Sequence, residues 1–133
     1  LQSSGLTDKE TGELNEIDTA HQLKNEYFSK MRESGVTLVC GSDSAWAYYQ
    51  MGDFNSEIEA HCQIGMSPME AIVASTYISS KSCWISNEVG TIEPGKKADL
   101  LVVDGNPDSN ISDLRNIVDV FQEGRVVDRS DKI

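Results

Sequence analysis

The sequence predicts an α/β fold that turns to antiparallel β structure in its last third. Three observations carry this. The run Val36–Cys40 is apolar without alternation, as in a strand covered on both faces of a parallel sheet. Helix-period segments lie on either side of it. From Val89 onward, short strand-length runs are separated by Pro-Gly, Asn-Pro and Glu-Gly turns.

Taken in order, residues 1–16 (LQSSGLTDKETGELNE) are polar and aperiodic, and read as a loop or lead-in. A helix is expected next, capped by Asp18, with Ile17, Ala20, Leu23, Tyr27 and Met31 at spacings of three and four. Gly35 suits its C′ position, where a positive φ is tolerated. After the Val36–Cys40 strand comes a loop holding Asp43 and the aromatics Trp46, Tyr48 and Tyr49. A second helix runs from about Asn55 to Ile64 and stops at Gly65. In Ser67-Pro68-Met69-Glu70, the serine is the N-cap, proline takes the first helical position and the glutamate closes a capping box. That third helix extends to roughly Lys81, with Ala71, Ile72, Ser75 and Ile78 along one face. VGTI (89–92) is expected as a strand, EPGKK as a turn and ADLLVVD as the next strand. ISDL is one helical turn, NIVDVFQ a third strand, and Glu123-Gly124 a tight hairpin into RVVD. Such a change of grammar midway implies the end of one domain joined to a piece of another.

The chain has 133 residues, the size of one domain, and at this length about two-thirds of the extended surface would be buried. Twenty-two acidic against 11 basic residues give a net charge of −11, which repels phosphate backbones and argues against nucleic acid and anionic membranes. No apolar run approaches a membrane span, and nothing resembles a secretory signal. Cys40, Cys62 and Cys83 are far apart and form no C-x-x-C, so neither a zinc knuckle nor a disulfide framework is indicated. A reducing, cytoplasmic compartment is expected. The first residue is leucine, which suggests a start set by processing, by trimming or by division of a longer gene product.

Asp43 is the leading candidate for chemistry. Ligands bind at the carboxyl ends of parallel strands, and a carboxylate just past Cys40 lies at that rim. There it could bind a metal or take a proton from a metal-activated water. The alternative is that it forms a turn, as Asp and Ser commonly do. Ser42, Ser44 and Cys40 with His61 as base would make a nucleophile set. However, CGSDSA is not a G-x-S-x-G elbow, and His61 falls within a helical pattern. A two-histidine, one-carboxylate site of His21, His61 and Asp43 fits by residue type, but both histidines are mid-helix and read as solvated. Glu57 and Glu59 also read as solvated acids. Glycines 41, 90, 95, 105 and 124 serve five turns, and no phosphate-cradling motif occurs. Trp46, Tyr48 and Tyr49 either line a pocket beside Asp43 or pack a long loop.

Three stretches in order resemble the C-terminal part of the metal-dependent amidohydrolase superfamily, in its imidazolonepropionase-like and Xaa-Pro dipeptidase (prolidase)-like group. GVTLVCGSDS resembles the eighth barrel strand with its terminal aspartate. EIEAHCQIGMSPMEAIVASTYISSK resembles the paired helices that follow. VGTIEPGKKADLLVVDGNPDSNISDLRNIVDVFQEGRVV resembles the return into the small β-sandwich beside the barrel. The likeness covers about residues 18–128. It implies an α/β fold class: the C-terminal portion of a (β/α)8 TIM-like barrel plus strands of the adjoining sandwich. Residues 1–17 would be the polar lead-in, 18–86 the end of the barrel and 87–133 the sandwich strands.

The resemblance further implies one or two divalent metals, usually zinc, and hydrolysis of an amide or related C–N bond by activated water. Asp43 corresponds to the aspartate that binds metal and shuttles the proton. Asn55 matches an asparagine of the following helix, as a helix cap or supporting residue, and Ser44 and Trp46 fall where substrate would be lined. The family's H-x-H pair and its strand-four, -five and -six ligands have no counterpart here, and a whole barrel takes roughly 250 residues. The expectation is therefore a fragment, inactive alone, whose partners are a small amide or dipeptide substrate and the rest of the barrel or an oligomer partner. The rival expectation is a free-standing, non-catalytic binding or assembly module.

Overall fold

The computed structural model describes residues 8–43 and 51–130. They divide into two compact units at Val36/Thr37. The first holds helix α1, Asp8–Glu33. It begins ten residues before the expected cap at Asp18, so much of the polar lead-in is helical. The segment has no proline and many good helix formers. At the other end Gly35, at φ 79°, donates to the Arg32 carbonyl and Val36 to that of Met31, the Schellman pattern. Leu23, Tyr27 and Met31 of the predicted stripe are exposed within this unit.

The second unit opens on Thr37–Cys40, which joins no strand ladder with any described residue. The expected strand is thus not formed here, because a strand buried on both faces needs a neighbour on each edge. Helix α2, Phe54–Gln63, follows. Gly65, at φ 95°, ends it with a second Schellman turn, Gly65 donating to Cys62 and Met66 to His61. The next helix starts as predicted. Ser67 Oγ accepts from the Glu70 amide, and Glu70 accepts from the Ser67 amide at 2.7 Å. The helix runs unbroken as α3 (Pro68–Val73), a π-helical turn (Ala74–Ile78) and α4 (Ser79–Ser82). Within it, Ser79 Oγ donates to the Ala74 carbonyl five residues back. Its end is unusual. Trp84 takes the left-handed C′ position at φ 61° while 94% exposed, a conformation costing a non-glycine residue about 1–2 kcal/mol.

VGTI is not a strand. Gly90 sits at φ 95°, incompatible with extended chain, and its backbone lies against Ser80 and Thr76 of the preceding helix. Glu93-Pro94-Gly95-Lys96 is the expected turn, closed by Lys96 N–H to the Glu93 carbonyl with Gly95 at φ 92°. Strands β1 (Leu100–Val103), β2 (Ile117–Gln122) and β3 (Arg125–Val126) form an antiparallel sheet in that order. Leu100 pairs with Phe121, and a bulge separates Val102 from Val103. Glu123 and Gly124 both have positive φ, as a two-residue hairpin turn requires. A 3-10 helix, Ile111–Arg115, links β1 and β2. Among the described residues the core is thin: Ile58, Ala71 and Ala74 are the buried apolar ones, and no large side chain is fully buried. No described helix is long and apolar enough to cross a membrane.

Candidate functional site

Asp43 ends the segment that precedes α2. It is exposed and holds φ 45°, in the left-handed region. Asp and Asn tolerate that region better than other side-chain-bearing residues, but glycine would be relaxed there.

The chain just before it lies beside α2. Cys40 is half-buried, and its thiol is pushed up to about 11 by burial first, then by the charge of Glu57 and of Cys62. At that value it is a protonated, inert thiol. The chain after the loop returns at Asp53, the N-cap residue of α2. Asn55 is therefore inside the first turn, half-buried, and the capping role expected for it does not hold. Ser44 and Trp46 lie outside the described residues.

His61 was expected in solvent and is instead buried, at 8% exposure, because it shares the inward face of α2 with Ile58. Its Nδ1 donates to the Glu57 carbonyl at 2.9 Å, which fixes the tautomer, and Glu57 Oε1 lies 3.7 Å away. Its Nδ1 is committed to its own helix, and no hydrogen bond joins it to Ser42 among the described residues. The His21 side chain lies outside the described residues. Among the described residues no three His, Cys, Asp or Glu side chains are grouped to hold a metal. Asp43 is therefore not part of a complete metal site among the described residues.

One cluster has no counterpart in the sequence reading. Arg115, at the end of the 3-10 helix, reaches α2. Its Nε donates to Glu59 Oε1 and its Nη2 to Glu59 Oε2, both at 2.8 Å. Nη1 donates to Asp53 Oδ1 at 3.1 Å, and Nη2 also to Ser56 Oγ at 3.0 Å. Asp53 makes no side-chain cap bond; its Oδ2 accepts from Ser56 Oγ at 2.6 Å. Glu59 is therefore half of a fork, not a solvated acid. Nothing local signals a pairing across 56 residues; only the isolated arginine in an acidic chain hints at it.

The cluster makes part of the stability acid-sensitive. Arg115 holds Glu59 below the usual carboxylate range, and Asp53 is held low by the Ser56 hydroxyl first and Arg115 second. A carboxylate lowered in the folded state stabilises the fold above its unfolded value, near 4, and loses that contribution as pH falls through the folded value. The melting temperature is expected to drop between about pH 5 and 3, and to drop less in Arg115→Met. A variant tracking the wild type across that range would remove the cluster from the acid response.

With this geometry in place, the chain can be set against known proteins. The model of the amidohydrolase family matches residues 24–127. The imidazolonepropionase of Thermoplasma volcanium is 28% identical over 98 residues, covering 71% of this chain and 24% of that protein. Among solved structures, an Xaa-Pro dipeptidase with methionine bound in its active site is similar at a TM-score of 0.69 and 36% identity. That match covers 77% of this chain and 25% of the dipeptidase. Molinate hydrolase is similar at 0.67 and 29%, covering 74% and 25%. The chain spans about a quarter of the length of each of these relatives.

Proposed function

Because this chain belongs to the amidohydrolase family, we propose that it is the C-terminal part of a metal-dependent hydrolase of C–N bonds in small amides, dipeptides or cyclic amides. The observation that carries the reading is Asp43: an exposed carboxylate at left-handed φ, inside the family-matched region, at the end of a strand-like segment without a ladder. Thr37–Cys40 is then the eighth barrel strand, residues 18–86 the close of a (β/α)8 barrel, and 87–133 strands of a small β-sandwich.

In this reading Asp43 holds one flank of a divalent metal, with zinc the expected ion, whose contribution when bound is to bring the pKa of water toward neutrality. The Asp43 carboxylate accepts the proton of the attacking water and delivers it to the leaving nitrogen. Its exposure leaves it open to substrate. Ser44 and Trp46 line the substrate side, and Asn55 supports the loop from the first turn of α2.

The test uses the complete protein encoded around this sequence. It is expected to release amine from dipeptides or N-acyl amides, to lose that activity on chelation and to regain it with zinc, while the 133-residue chain alone stays inactive. A metal-free, discrete oligomer without hydrolysis would favour the binding or assembly module instead.

A further inference from the structure

We propose, independently of the hydrolase reading, that Asp104 is a site of spontaneous covalent modification, converting to isoaspartate through a succinimide formed with Gly105. The two residues directly follow strand β1, and both are exposed. They are the one Asp-Gly pair of the chain, which has no Asn-Gly pair. Glycine matters because it carries no side chain to hinder approach of its amide nitrogen to the preceding carboxyl. The structure adds that both reacting groups are uncommitted. Neither the Asp104 carboxylate nor the Gly105 amide makes a hydrogen bond or ion pair among the described residues. Other aspartates are engaged: Asp53 accepts from Ser56, Asp99 from the Glu123 amide, Asp113 from the Asn106 amide and Asp128 from the Ser130 amide.

The chemistry needs only water. The Gly105 nitrogen gives up its proton and attacks Asp104 Cγ. An N–C bond forms, a carboxyl C–O bond breaks, and the oxygen leaves as water. Water then reopens the ring. Attack at Cγ restores aspartate, whereas attack at the Asp104 α-carbonyl breaks the original peptide bond and leaves the main chain running through Cβ and Cγ. The chain is then one carbon longer at this point. That carbon falls between two anchors: the Asp104 amide donates to the Asn116 carbonyl at 2.8 Å, and the Asn106 amide donates to Asp113 Oδ2 at 2.8 Å. Both hydrogen bonds are set for the shorter chain, so the modification loosens the link between β1 and the 3-10 helix.

The test ages the complete, natively folded protein at physiological temperature and neutral pH. Peptide mapping by electron-transfer mass spectrometry then tells isoaspartate from aspartate at equal mass. Isoaspartate at position 104 is expected to exceed that at any other aspartate about tenfold or more. A protein-isoaspartate methyltransferase with labelled S-adenosylmethionine is expected to mark the aged wild type at the same position. Asp104→Glu, whose cyclic imide would need a six-membered ring, is expected to lose both signals. Asp104→Asn is expected to raise them, releasing ammonia in place of water. Isoaspartate spread evenly over the aspartates would overturn the proposal. So would modification at position 104 in the urea-unfolded chain but not in the native protein, since the folded loop would then block the attack.

Discussion

Asp43→Asn is expected to lower kcat of the complete protein by about two to four orders of magnitude, the range supplied by a positioned proton acceptor. The substitution is nearly isosteric but removes the basic oxygen and the negative charge. It is also conformationally clean. Asn tolerates left-handed φ as well as Asp does, so the φ of 45° is kept without added strain. Asp43→Ala would mix a backbone penalty with the chemistry, and Asp43→Gly would relax the turn. The measurement is steady-state kinetics alongside a thermal melt. Near-normal turnover at an unchanged melting temperature would show that Asp43 is a turn residue after all.

Gly90→Ala is expected to cost about 3 kcal/mol or more. Two terms combine. At φ 95° any side-chain-bearing residue is strained by about 1–3 kcal/mol. The added Cβ would also lie 2.3 Å from Ser80 Oγ, 2.7 Å from Ser80 Cβ and 3.2 Å from the Thr76 carbonyl. Ser80 is buried, with its hydroxyl donating to the Tyr77 carbonyl at 2.7 Å, so the helix has nowhere to yield. Gly95→Ala is the matched control. Its φ of 92° is similar, yet nothing stands within 4 Å of the added methyl, so backbone strain acts alone. Denaturant unfolding of the two variants separates the terms. Equal losses would mean that the Gly90 contact can relax.

The elements with local causes were the legible ones. Ser67-Pro68-Met69-Glu70 announced a helix start because every group of a capping box lies within four residues. The Pro94-Gly95 turn and the Glu123-Gly124 hairpin were readable for the same reason: φ preferences belong to single residues. Asp43 could be singled out from its place after an apolar run, although a left-handed backbone beneath it could not. Misreadings arose where a distant partner decides. VGTI has strand composition, but packing of Gly90 against Ser80 and Thr76 forces a bend. His61 has the polarity of a surface residue, but α2 turns it inward beside Ile58.

What the sequence by itself determined, then, is the order of helices and turns, the acidic surface charge and the family likeness, because propensities, caps and composition are properties of neighbours along the chain. The tertiary structure alone decided which acids are solvated and which are bound, which glycines carry a contact, and that Arg115 ties the segment between β1 and β2 to helix α2. The Arg115 cluster depends on groups 50 or more residues apart meeting within 3 Å, and no local pattern encodes such a meeting.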